Sequence, residues 1–153
     1  MKTEGTRTTL PDGRGKRCAI IVARYYDKLA AWLEDGARRA MRECGVAETD
    51  IVSYDVPGCF ELPLAAQRIA AALPLDAMVA LGIVVRGDTP HFEYVAGECA
   101  RGLMTVQLET TVPIGFGILT TETMAQAEER ADPARGDKGY EAAIAALSVA
   151  TLP

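Results

Sequence analysis

Apolar positions in this chain alternate between short runs of strand length and longer stretches in which they recur every three or four residues. Residues 18–23 (CAIIVA) form the first run, and the segment after it places Leu29, Leu33, Ala37, Ala40, Met41 and Cys44 on one helical face before ending near Gly45. Residues 50–54 predict a second, weaker strand. The turn VPGCFELP then leads into a helix whose apolar face is Leu64, Ala65, Ile69 and Leu73, with Pro63 in the first turn, where its missing N–H costs little. Residues 77–85 are apolar or glycine without alternation, which predicts a parallel strand covered on both faces. Its following helix carries Tyr94, Val95, Cys99, Gly102, Leu103 and Val106 on one stripe. Residues 112–119 (VPIGFGIL) predict a fourth strand, after which Thr121 or Thr123 caps a short helix through Arg130. A polar break, ADPARGDKG, precedes a last helix carrying Tyr140, Ala143, Ile144 and Leu147.

Strands alternating with helices, without an internal repeat, predict an α/β protein with a four-stranded parallel sheet flanked by helices on both faces. Such a sheet presents the carboxyl ends of its strands on one edge, and ligands bind beyond that edge where the strand order reverses. The residues least explained by packing all fall there: Arg24, Tyr25 and Tyr26 after the first strand, Gly58, Cys59, Phe60 and Glu61 after the second, residues 86–91 after the third, and Thr120 and Thr121 after the fourth.

His91 is the only histidine of the chain and stands at the start of the third helix, in LGIVVRGDTPHFEY. Thr89 is a suitable N-cap and Pro90 a suitable first helical residue, so the free N–H groups of the first turn face the strand edge and favour an anion. Histidine ordinarily titrates near neutrality, which suits it to proton transfer.

Composition narrows the class further. A chain of 153 residues suits one domain, and at that size roughly 70% of the unfolded chain's surface is buried without disulfide or metal staples. A formal net charge of −5, with no basic cluster joined to aromatic platforms, argues against a nucleic-acid partner. Cys18, Cys44, Cys59 and Cys99 are scattered singly, without zinc-site spacing, and read as reduced, mostly buried thiols. No apolar stretch reaches the ~20 residues of a membrane span, and the polar start has no signal-peptide core, so the expected location is the cytoplasm. Residues 1–15, rich in Gly, Thr, Arg and Lys, read as a flexible arm ahead of a single domain over residues 16–153.

The segments ARYYD, VPGCFELP, LGIVVRGDTPHFEY, PIGFGILTTE and EERADPARGDKG, in this order from about residue 16 to 152, resemble the lumazine synthase family. Any one of them is weak alone; the ordered set at compatible spacing is specific. The resemblance implies a flavodoxin-like three-layer αβα sandwich and an enzyme of riboflavin biosynthesis. It would condense 5-amino-6-(ribitylamino)uracil with 3,4-dihydroxy-2-butanone 4-phosphate to 6,7-dimethyl-8-ribityllumazine, releasing phosphate and water, with no metal or organic cofactor.

By the same resemblance His91 is the proton-transfer residue, Arg130 the phosphate-binding arginine and Lys138 an active-site lysine. Tyr25 is the aromatic stacked on the pyrimidine, and Gly58, Cys59, Phe60 and Glu61 form the ribityl-binding turn. Val84 and Val85 contact the ring edge, Gly87, Asp88 and Thr89 surround the phosphate, and Phe116 lines the pocket from an adjoining subunit. The site then lies between subunits of a homo-oligomer, expected as a pentamer, with an icosahedral shell of pentamers as the larger alternative. Taken singly, Arg130 and Lys138 are ordinary surface cations, Phe60 and Phe116 ordinary core aromatics, and Glu61 an ordinary helix-start carboxylate.

The chain departs from the family pattern at Tyr25, where phenylalanine or tryptophan is usual, at Tyr26, where asparagine is common, and at Asp88, a carboxylate beside the phosphate turn. Two other readings follow: a flavin- or lumazine-binding protein with little synthase activity, and a generic flavodoxin-like nucleotide or signalling domain. The chain shows neither the acidic triad and lysine of a receiver nor the hydroxyl-rich phosphate loop of a flavodoxin, which places the last reading behind the others.

Overall fold

The computed structural model describes residues 9–153. Four parallel strands, β1 (Cys18–Ala23), β2 (Ile51–Val56), β3 (Ala77–Val85) and β4 (Ile114–Thr121), form one sheet in the order β2-β1-β3-β4. Helices α1 (Asp27–Glu43), α2 (Leu62–Ala72), α3 (His91–Thr110), α4 (Met124–Ala131) and α5 (Lys138–Ala150) cover it, giving a flavodoxin-like three-layer α/β sandwich.

The apolar runs explain the layers. All six residues of β1 and the first seven of β3 are buried, because each strand is central and has a helical layer on both faces. β2 is an edge strand, and its Ser53, Tyr54 and Asp55 are exposed. On one face α1, α4 and α5 lay Leu33, Met41, Ala127 and Leu147 against Ile20, Val22, Val79 and Leu81. On the other, α2 and α3 lay Leu62, Ala66, Cys99 and Leu103 against Ile21, Met78, Ala80 and Ile118. α1 ends as its sequence predicts: Gly45 takes φ +94°, its N–H bonds to the Arg42 carbonyl and that of Val46 to Met41.

Several expectations need correction. β2 runs to Val56 and β4 to Thr121, each two residues beyond the predicted end. On α2 the buried positions are Leu62 and Ala66; Leu64 is exposed and Leu73, half-buried, lies past the helix end. Ala65 and Ile69 pack half-buried against the same core as expected, so the core face of α2 is centred on Leu62, Ala65, Ala66 and Ile69, with Leu64 turned away from it. On α3 Tyr94 is 69% exposed, outside the core that holds Cys99, Leu103 and Val106. Thr123 caps α4, its Oγ1 accepting the Gln126 N–H while Gln126 Oε1 accepts that of Thr123, whereas buried Thr121 spends its hydroxyl on the Thr123 carbonyl.

Of the N-terminal arm, residues 1–8 lie outside the described residues. Gly13 is buried, and its N–H bonds to the Cys44 carbonyl at 2.8 Å.

Candidate functional site

In the order β2-β1-β3-β4 the chain leaves β1 toward one side of the sheet and returns from β2 to the other, so the strand order reverses between β1 and β3. A cleft of about 640 Å³ opens there at the carboxyl edge, a volume suited to a small organic ligand. Tyr25 and Tyr26 after β1, the turn of residues 58–61 after β2, the end of β3 from Ile83 to Val85, Gly87, Thr89 and the first turns of α3 line it.

Each wall has a local cause. Arg24, the residue beyond β1, gives its Nε to Asp55 (2.9 Å) and a terminal nitrogen to Glu34 (2.7 Å), while its N–H bonds to the Val56 carbonyl; this fixes the chain just before Tyr25. The Tyr25 and Tyr26 rings meet edge to face, centroids 4.9 Å apart, and Tyr25 remains 76% exposed at the cleft.

In the second wall Glu61 Oε2 accepts the Gly58 N–H at 3.0 Å and closes the turn on itself. Cys59 descends from this turn to the sheet, where its thiol points to the Ile83 carbonyl, with sulfur and oxygen 3.8 Å apart. Glycine is required opposite it, since a Cβ on Gly82 would stand 2.5 Å from the Cys59 sulfur. A hydrogen bond to the Cys99 sulfur and then burial raise the Cys59 thiol well above the ordinary range, so Cys59 builds the wall as a neutral thiol.

The third wall is the turn from β3 into α3. His91 is the first residue of the helix and is exposed at the cleft; Pro90 occupies the cap position, one residue later than the sequence suggests. Thr89 Oγ1 faces the His91 N–H at 3.4 Å, a long contact. Arg86 binds Glu93 through a terminal nitrogen (2.5 Å) and Glu122 through Nε (2.8 Å), its guanidinium 4.3 Å above the Phe92 ring.

The cleft thus brings together Tyr25, Gly58, Cys59, Phe60, Glu61, Val84, Val85, Gly87, Thr89 and His91. Asp88, Phe116, Arg130 and Lys138 are not among its lining residues. Asp88 is exposed, and Phe116 is 49% exposed on β4, the far edge strand. Arg130 and Lys138 sit at the corner between α4 and α5, which is folded back by bonds from the Gly136 N–H to Glu129 and from the Asp137 N–H to Asp132. Arg130 donates only to the Gln126 carbonyl of its own helix and has no carboxylate partner among the described residues; Lys138 pairs with Glu141 at 2.8 Å. Ile83 and Phe92 line the cleft although the sequence did not mark them for it; Tyr94 and Val95, expected on the core stripe, also line it, and Val95 packs against the core as expected. The signal was present, because positions three and four after His91 share its helical face.

Fold and cleft together define a doubly covered parallel-sheet protein with a ligand site at its strand-order reversal. Comparison with known proteins narrows this to a family. The model of the 6,7-dimethyl-8-ribityllumazine synthase family matches residues 15–153, and the chain belongs to that family. It is 44% identical over 148 residues to 6,7-dimethyl-8-ribityllumazine synthase of Syntrophus aciditrophicus (strain SB), covering 94% of this chain and 96% of the relative. It is 41% identical over 139 residues to the synthase of the same name from Chlorobium phaeobacteroides, covering 91% and 90%.

Proposed function

We propose that this chain condenses 5-amino-6-(ribitylamino)uracil with 3,4-dihydroxy-2-butanone 4-phosphate to 6,7-dimethyl-8-ribityllumazine. The observation that carries this reading is the meeting, in one cleft of a chain matched by the family from residue 15 to 153, of an open aromatic face, a backbone-rich turn and a histidine at a helix start. Tyr25 offers its ring to the flat pyrimidine. The turn of residues 58–61 offers small donors and acceptors to the ribityl chain; Glu61 spends Oε2 on Gly58, leaving Oε1 for a hydroxyl. Gly87 and Thr89, ahead of the α3 N-terminus, cradle the phosphate. Imine formation, phosphate loss and ring closure each move protons, and His91 carries them.

The site is completed by a second subunit. Phe116, Arg130 and Lys138 lie outside the cleft of their own chain, and the Arg130 guanidinium, of the kind that grips phosphate, has no carboxylate partner among the described residues. Leu64, Tyr94, Met104, Leu108 and Phe116 leave large apolar surface exposed on α2, α3 and the β4 edge, which supports burial against another copy. A homopentamer in the cytoplasm is the proposed assembly, with closure into a shell as the alternative. Among the described residues no helix is long and apolar enough to cross a membrane.

The test is direct. Purified protein is mixed with the aminouracil and the butanone phosphate, and lumazine formation is followed optically against an enzyme-free background. Clear acceleration is expected; a folded oligomer that gives none, yet binds riboflavin tightly, would overturn the synthase reading in favour of a binding protein.

A further inference from the structure

Arg86 stands at the end of β3, five residues before His91, and its backbone N–H extends the ladder to the Thr121 carbonyl at 2.9 Å. Its side chain joins three separate pieces of the cleft's rim. One terminal nitrogen reaches Glu93, two residues after His91; Nε reaches Glu122, just past β4; and the plane of the group lies over Phe92, which lines the cleft. The intervening residues 87–90 are all exposed, and a Cβ on Gly87 would meet nothing within 4 Å. The backbone that carries His91 thus receives little support from packing on its own side of the turn.

We propose that Arg86 is a positioning residue: it clamps the first turn of α3 to the ends of β3 and β4 and so sets where His91 and the phosphate turn stand. The proposal rests on the reading of His91 as the proton-transfer residue. Three observations favour positioning over a direct grip on phosphate. Two of the three guanidinium nitrogens are already held by carboxylates, its face is covered by Phe92, and Arg86 is absent from the cleft lining. Exposed ion pairs add little to stability, so the clamp works through geometry and its loss leaves the fold intact. Lysine cannot replace it, because one ammonium lacks the planar fork that spans two carboxylates while stacking on a ring.

The experiment compares wild type with Arg86→Met, Arg86→Lys, Glu93→Gln and Glu122→Gln, and with Arg42→Met as a control at the C-terminal end of α1, far along the chain. Because His91 is the only histidine, its imidazole protons are resolved by NMR without assignment ambiguity, with or without turnover. The expected result is a KM for the butanone phosphate raised about tenfold in Arg86→Met. KM for the aminouracil should be nearly constant, melting unchanged, and the His91 signals shifted or broadened in both Arg86 variants. Both glutamine variants should move the same readouts in the same direction, and Arg42→Met none of them.

If Arg86 gripped phosphate itself, freeing it by Glu93→Gln or Glu122→Gln would leave KM unchanged or lower it, and that result overturns the clamp. Wild-type His91 signals in Arg86→Met overturn it as well. Absence of turnover in the wild type would sink the synthase reading separately, while the His91 signals still decide the role of Arg86.

Discussion

Gly139, in the first turn of α5, lies so close to Leu33 of α1 that a Cβ on it would stand 2.0 Å from the Leu33 carbonyl oxygen. This contact seats the corner that carries Arg130 and Lys138. Around it Arg39 of α1 grips both carboxylate oxygens of Asp137 (3.0 and 2.9 Å) and covers the Tyr140 ring, whose hydroxyl donates to Glu43. Asp137 itself sits at φ +50°, a conformation it holds because its side chain is fixed on α1.

Gly139→Ala should therefore destabilise the protein by about 3 kcal/mol or more, since the methyl meets backbone, which cannot turn aside as a side chain can. Urea unfolding checks the magnitude. A loss below about 1 kcal/mol would mean that α5 slides freely on α1.

His91→Ala removes an exposed side chain at a helix start, so stability should stay within about 0.5 kcal/mol of wild type. Turnover should fall about a hundredfold or more if the imidazole moves protons in the rate-limiting steps. Steady-state rates beside a thermal melt check both halves, and an unchanged kcat would remove His91 from the proposed chemistry.

The fold was legible because its strands differ in kind. Continuous apolar runs at residues 18–23 and 77–85 mark strands buried on both faces, and both are central. Periodicity misled where a helix carries two apolar faces. Leu64 and Tyr94 look like core residues, yet α2 buries Leu62 and Ala66 instead of Leu64, and α3 buries the expected Cys99, Leu103 and Val106 while Tyr94 stays at the surface. A single sequence does not say whether an apolar stripe meets the sheet or another molecule. The walls at Tyr25, residues 58–61 and His91 were legible because strand ends converge on one edge. Arg86 was legible as a break in the strand but not as a clamp, because Glu93 and Glu122 come to it from separate elements.

Alkaline stability should fall between about pH 9 and 12. Cys18 is fully buried at the start of β1, and burial pushes its thiol up to about 12 from an ordinary 9.0. The folded state therefore keeps a proton that the unfolded chain releases first. The stabilisation is fully present below the unfolded value and is lost as pH rises through the folded one. Cys18→Ala should flatten the decline in melting temperature over this range, and an unchanged slope would assign the alkaline loss to other groups, Tyr140 among them, whose hydroxyl is raised to about 12 chiefly by its bond to Glu43.

The proposed division of the site between subunits gives the last prediction. Arg130 lies outside the cleft that holds His91 in the same chain, so on the proposed reading a phosphate beside His91 would be gripped by the Arg130 of a neighbour. His91→Ala and Arg130→Ala chains should each be nearly inactive alone. Co-expressed in equal amounts with different tags, they should recover about a quarter of wild-type activity, the share of random interfaces pairing an intact His91 with an intact Arg130. Wild type mixed with the double variant separates the geometries: about a quarter if the site is shared, about half if each chain carries its own. Recovery near zero in the first mixture and near half in the second would place Arg130 and His91 in one chain's site and would require the α4–α5 corner to move toward the cleft when substrate binds.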